Sequence, residues 1–422
     1  MSDSDPSRVV EAVWRMESAR IVAALARMVN DVGLAEELAQ DALLLALEQW
    51  PRDGVPNNPG GWLMLTAKHR ALDLVRRNAR YVRKLEEVGR HQELRHQEAQ
   101  DEVDQDLDDP IGDDVLRLLF VACHPVLPVE GRLALTLRLL GGLTTQEIAR
   151  AFLVPESTAG QRISRAKRTL AQKKVPIELP PPDELPARLA SVLEVIYLIF
   201  NEGYSATSGG DWVRPSLCEE ALRLGRVLAG LMPDQAEVHG LAALMEIQGS
   251  RIPSRTGPGG QPVLLLDQDR SLWDRLLIRR GLQALERAEA LGTLGPYGLQ
   301  AAIAACHARA VSADDTDWER IAALYRVLAH VVPSPVVELN RAVAVAMAEG
   351  PARGLEIVDA LRDDRALRDY PQLPVVRGDL LARLGRHDEA GREFQRAAAL
   401  TRNEREQTLF LARAAQQATG SV

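Results

Sequence analysis

Aromatic side chains are scarce, with Phe, Trp and Tyr together at 4% of 422 residues, while Ala, Leu and Arg recur in every segment. That balance favours helix over sheet, and an all-α chain is expected. Cysteine is scarcer still. Cys123, Cys218 and Cys306 stand far apart with no C-x-x-C spacing, which argues against a disulfide frame or a zinc site and suits reduced core thiols. Long apolar runs are missing. The most apolar stretch, Leu189 to Phe200, covers 12 residues and contains Glu194, too short and too charged to cross a bilayer. Met1 to Pro6 are acidic and lack the basic, apolar, small-residue order of a secretory signal. A cytoplasmic protein with no membrane partner is expected. Residues 187–422 contain no Gly-rich phosphate loop, paired His ligands or nucleophile motif. The neighbours Cys123-His124 and Cys306-His307 diverge on a helix and cannot easily cooperate. No catalytic residue, metal site or cofactor is expected, and the chain does not read as an enzyme.

The charge that is present lies unevenly. The net value is −8, yet from Glu86 to Asp114 twelve acids face only Arg90 and Arg95, so the remainder of the chain sums to about +2. The acid is confined to one linker, residues 85–114, which has few aromatics and reads as disordered in isolation. On either side lie helical segments. Residues 8–84 begin with apolar positions at helical spacing, including Val10, Val13, Ile21, Leu25, Leu38 and Leu45, and break at Trp50-Pro51. Turn residues from Pro51 to Gly61 predict a loop, followed by a helix from Trp62 to about Arg83. On that helix Trp62, Leu65, His69, Leu72 and Val75 or Arg76 share a face expected to pack, and Thr66, Arg70, Asp73, Arg77 and Arg80 share another. Between Thr66 and Lys84 there are seven Lys or Arg and one Asp, dense enough to hold phosphates by charge, although a solvated basic face has the same pattern.

Residues 115–175 form a second helical segment. Thr144 followed by Glu147 is a capping box that starts a helix. Leu153-Val154-Pro155 breaks it, and Glu156 opens the next. The spacing is that of a helix-turn-helix. Ala159, Ile163, Ala166 and Leu170 repeat as a buried face and leave Thr158, Gln161, Arg162, Arg165 and Arg168 outward, a set able to enter a major groove. An ordinary hairpin with a basic face is the plainer alternative.

Five prolines from Pro176 to Pro186 mark a boundary. Residues 187–422 read as helical again, with an exposed loop expected from Gly249 to Pro262. Gly378, Ala390, Phe394 and Ala397, with Gly385 in the turn, occupy the small and aromatic positions of a 34-residue tetratricopeptide unit, and Val337 to Leu361 reads as a diverged copy. Such units bury their apolar faces against neighbours and suit binding of a protein or peptide.

Two separated blocks carry a family resemblance. Asp31 to Ala42 (DVGLAEELAQDA), Trp50, Asn58 to Leu63 (NPGGWL) and Ala71 to Arg77 (ALDLVRR) resemble region 2 of extracytoplasmic-function sigma factors. Leu143 to Leu170, with Gln146 to Ala149, Ser157-Thr158 and Arg162 to Lys167, resembles region 4. The layout is similar to the subgroup with tetratricopeptide-like C-terminal extensions, in which a segment like Asn201-Glu202-Gly203-Tyr204 occurs. No chemical role follows for that segment, and Asn and Glu beside a Gly turn would cap a helix.

The resemblance implies two partners, core RNA polymerase and promoter DNA. It places Glu36, Glu37, Gln40 and Asp41 on the polymerase coiled-coil clamp. It places Asn57, Asn58, Lys68, His69, Arg70, Arg76 and Arg77 on the melted −10 element. Thr158, Gln161, Arg162, Arg165 and Lys167 fall on the −35 duplex, and the acidic linker in the polymerase channel. His69 stands where family members often have Asn, and Gly160 where a basic residue is frequent. Deleting residues 187–422 is expected to change activity. The competing reading is a helix-turn-helix regulator with a repeat-based sensor, which leaves Asp31 to Arg77 unexplained.

Overall fold

The computed structural model describes residues 6–88, 111–205 and 212–419. Among the described residues it contains eighteen α-helices and no β-strand beyond one isolated pairing of Thr256 with Pro262. The fold is all-α. The chain divides into two compact units, Met1–Val195 and Ile196–Val422.

In the first unit, α1 (Pro6–Val29), α2 (Val32–Asp53) and α3 (Pro59–Val88) pack on one another. Asp31 caps α2, its carboxylate accepting from Leu34 N at 2.9 Å. The helix does not stop at Trp50-Pro51. It runs on to Asp53 and ends at Gly54, whose φ is +89°, because a proline already holds a helical φ and costs only local backbone bonding in a last turn. Likewise α3 begins before Trp62. Pro59 starts it, where a missing N–H is harmless, and the Asn58 side chain accepts from Gly61 N at 3.0 Å.

The packed face of α3 differs from the expected one. Leu63, Ala67 and Ala71 are fully buried, whereas Leu65 is 56% exposed and His69 and Val75 are also on the surface. Small residues let α3 lie close on α1 and α2, so backbone proximity selects the face rather than side-chain bulk.

The same unit continues with α4 (Ile111–Ala122), α5 (Val129–Leu139), α6 (Thr145–Ala151) and α7 (Glu156–Gln172). Asp114, at the expected end of the acidic linker, is instead buried inside α4 and pairs with Arg27 of α1 at 3.0 Å and Arg117 at 2.7 Å. Residues 89–110 of that linker lie outside the described residues. α8 (Leu185–Tyr204) begins in this unit: Arg188 donates to Phe120 O at 3.0 Å, and Ser191 donates to Cys123 O at 2.6 Å.

In the second unit α9 (Pro215–Leu231), α10 (Ala236–Gly249), α11 (Arg275–Leu291), α12 (Pro296–Arg309), α13 (Trp318–Val331), α14 (Pro335–Ala348), α15 (Pro351–Ala360), α16 (Gln372–Arg383), α17 (His387–Leu400) and α18 (Glu404–Thr419) each pack on the next in sequence. α10 and α12 are buried almost all round, as suits a helix at the centre of a domain. They approach closely at Gly240, where a Cβ would sit 2.6 Å from Gly298 N. The pair α16 and α17 turns at Gly385, with φ +76°, and Gly378 lies against the buried Phe394 ring. The three cysteines are free and buried.

Candidate polymerase and nucleic-acid surfaces

The helix-turn-helix is built as its residues dictate. Thr144 Oγ1 accepts from Glu147 N at 3.1 Å, and Thr144 N donates back to the Glu147 carboxylate at 2.8 Å. Burial pushes the Glu147 carboxyl up, but the Thr144 hydrogen bonds with Arg15 and Arg150 outweigh it and hold it below its ordinary value. Leu153, with φ +49°, turns the chain into α7. α7 buries Ala159, Ile163, Ala166 and Leu170, the four positions expected from spacing. Gln161 and Arg165 stand exposed, and Thr158 and Arg162 half-buried. Lys167 does not stand free: it pairs with Glu36, as does Arg138 at 2.6 Å.

On α2, the expected polymerase-facing acids divide. Glu37 and Asp41 are exposed, and Asp41 pairs with Arg70 of α3 at 2.6 Å. Glu36 is buried, 5% exposed, and accepts from half-buried Gln40 at 2.7 Å. Further along the helix Leu44 and Leu47 are 57% and 40% exposed. They line a cleft of about 500 Å³ with Trp14, Gln40, Arg138 and Glu147. Sequence reasoning missed these leucines, because their spacing alone assigns them to a core. In the structure they stand as an exposed apolar pair beside the acids of α2.

Around the start of α3, Asn57 and Asn58 are exposed, though the Asn58 side chain is occupied as the helix cap. Trp62 meets Trp50 edge to face at 5.6 Å, anchoring the loop between α2 and α3. Lys68 and Arg70 are half-buried, and His69, Arg76 and Arg77 exposed. The structure thus sets the exposed cations on α3 directly after the two asparagines, and leaves Glu36 buried and Lys167 half-buried.

Among the described residues no group of three or more His, Cys, Asp or Glu is arranged to hold a metal ion, and no helix is long and apolar enough to cross a membrane.

Residues 14–81 match the family described as Sigma-70 region 2, residues 117–170 match Sigma-70, region 4, and residues 188–289 match a Family of unknown function (DUF6596). The chain is 45% identical to "Uncharacterized protein R00370" of Rhizobium meliloti (strain 1021), over 90% of this chain and 89% of that protein. It is 28% identical to "Probable ECF RNA polymerase sigma factor SigI" of Mycobacterium tuberculosis (strain ATCC 25618 / H37Rv), over 43% of this chain and 60% of that protein. No solved structure matches the chain. With regions 2 and 4 both present in order and folded as helical modules, the chain belongs to the extracytoplasmic-function type of RNA polymerase sigma factor, and carries a DUF6596 domain beyond them.

Proposed function

We propose that this sigma factor docks on core RNA polymerase through α2 and directs initiation at specific promoters, with the second unit serving regulation or binding of a protein or peptide. The observation that supports this most is the outward set on α7. A capped helix-turn-helix holds Gln161, Arg162 and Arg165 away from its buried face, the disposition needed for base edges in a major groove. Thr158 and Lys167 complete the proposed −35 contacts, the latter once released from Glu36. Asn57, Asn58, Lys68, His69, Arg70, Arg76 and Arg77 are the proposed −10 contacts, where cations would hold separated strands. Glu36, Glu37, Gln40 and Asp41, with Leu44 and Leu47, form the proposed docking face. The consecutive helical hairpins of the second unit support a binding role because such stacks offer extended surfaces.

Run-off transcription with sigma-free core polymerase on genomic fragments tests this reading. The full chain should support discrete start sites, and a form ending at Tyr204 should change their rate or selection. A chain that binds DNA but supports no initiation at any template would be a helix-turn-helix regulator instead.

A further inference from the structure

The second unit contains a cluster of hydrogen-bond donors with too few acceptors, Arg255 and Arg270 buried and Arg251 half-buried. Arg251, Arg255 and Arg270 converge from the segment between α10 and α11, which folds inward rather than forming the exposed loop expected for Gly249 to Pro262. Ser254 and Arg255 are 4% and 8% exposed, and Arg270 8%. The Arg255 guanidinium lies 3.7 Å above the Tyr204 ring and 5.3 Å from the Trp212 ring. Arg251 donates through Nε to the Tyr204 phenol oxygen at 3.1 Å and sits 5.8 Å from the Trp273 ring. Arg270 is satisfied by His307 O at 2.7 Å, Ala310 O at 2.8 Å and Thr316 Oγ1 at 3.2 Å.

Among the described residues, no carboxylate lies within ion-pair distance of any of these three arginines. Arg255 Nε, Trp212 Nε1, Trp273 Nε1 and His307 Nδ1 are buried without a hydrogen-bond partner. Buried guanidiniums ordinarily pair with acids, and buried N–H groups ordinarily find acceptors. Among the described residues the Tyr204 phenol is the side-chain oxygen that meets Arg251 and also Arg255, and Glu202 two residues before it is paired with Arg214.

The consequences appear in the titrating neighbours. Burial pushes the Tyr204 phenol up, but Arg251 and Arg255 outweigh it and hold it below the usual phenol value. Burial, reinforced by Arg251 and Arg270, pushes the His307 imidazole down to about 4. Both mark a strongly positive, water-poor interior. Such a site is expensive to fold empty and gains on accepting negative charge.

We infer that this cluster is a binding site for a small oxyanion, a carboxylate or phosphate group gripped by Arg251 and Arg255, with the Trp273 and Trp212 N–H groups as further donors. Planar guanidinium forks match such groups bidentately. The aromatic walls of Tyr204, Trp212 and Trp273 suit an organic body attached to the anion, so the second unit would sense a small anionic molecule. This goes beyond promoter recognition, and its failure would leave the transcription reading untouched.

The test uses the full chain and three probes, inorganic phosphate, pyrophosphate and succinate, against sodium chloride at matched ionic strength. At least one probe should raise the melting temperature saturably at concentrations up to about 10 mM, as a ligand of the folded state must. Arg255→Met and Arg251→Met should weaken that binding at least about tenfold, while Arg353→Met, at an exposed pair with Glu356, should leave it unchanged. In the wild-type chain, the bound probe should move the earliest tyrosine ionisation, read by absorbance, to higher pH. This needs no variant to fold. Stabilisation by none of the probes beyond sodium chloride, or stabilisation that survives in both arginine variants with no change in the tyrosine titration, would overturn the inference. Phosphate and succinate responses of different strength distinguish a phosphorylated from a carboxylated ligand.

Discussion

Glu36 of α2 and Lys167 of α7 are ion-paired in the first unit, and Arg138 of α5 shares the same carboxylate at 2.6 Å. One acid expected to face polymerase and one cation expected to face DNA therefore neutralise each other. In this arrangement neither is available to its partner. Under the proposed function, docking through Glu36 would need these two ion pairs to break.

That bridge makes an unequal pair of predictions. Glu36→Gln strands two cations and should cost about 2 kcal/mol of stability, whereas Lys167→Met leaves Glu36 with Arg138 and should cost about 1 kcal/mol or less. Urea unfolding of both variants measures this, and a larger loss for Lys167→Met would contradict the geometry.

The capping box gives a pH-dependent difference. Thr144→Ala removes the acceptor for Glu147 N and should destabilise the fold by about 1 kcal/mol at neutral pH. Because the Glu147 carboxyl is held below its ordinary value in the fold, its contribution is present above the ordinary carboxylate value and fades as pH falls through the lowered one. The gap between wild type and Thr144→Ala should therefore narrow on acidification, seen in paired melting curves.

His307 predicts an acid limit for the second unit. Its imidazole is lowered from 6.5 to about 4, so the folded state takes up fewer protons than the unfolded one between those values. Stability should be full above pH 6.5 and fall by about 3 kcal/mol as pH drops toward 4. His307→Gln should flatten that part of the profile in a melting series.

Where α16 packs on α17, a Cβ on Gly378 would sit 2.9 Å from Phe394 Cε1. Gly378→Val overpacks a fully buried ring and should cost about 2 kcal/mol. Gly378→Ala should cost less, and near-neutral unfolding for the valine variant would show that the two helices can part.

On DNA, Arg162→Ala and Arg165→Ala should each weaken binding of a −35 duplex by about tenfold or more with little change in melting temperature. Both side chains lie off the face that holds α7 to its neighbours.

Much of this was legible from residue order, and for identifiable reasons. The Thr144 box and the four buried positions of α7 are local patterns that a helix satisfies by itself, so they appear where spacing puts them. The face of α3 was not legible, because Leu63, Ala67 and Ala71 are buried by the approach of other helices, which periodicity weighted by size does not register. The Gly249 to Pro262 segment misled for a related reason: its Gly and Pro content announces a turn, but Ser254 and Arg255 point inward toward Tyr204. The Asn201 to Tyr204 motif carries no role that residue order reveals. It forms the end of α8 rather than a Gly turn, and Gly203 is required there because a Cβ would lie 2.7 Å from Cys218 N.

The first turns of α8 bear on where the polypeptide can be cut. Arg132 donates to Ser191 Oγ at 2.7 Å and pairs with Glu194 at 2.9 Å, while Arg188 and Ser191 occupy the carbonyls of Phe120 and Cys123. Ending translation at the proline segment would strip four carbonyl and guanidinium contacts from the first unit, so a loss of transcription in such a shortened gene product would report damage to that unit as much as removal of the second.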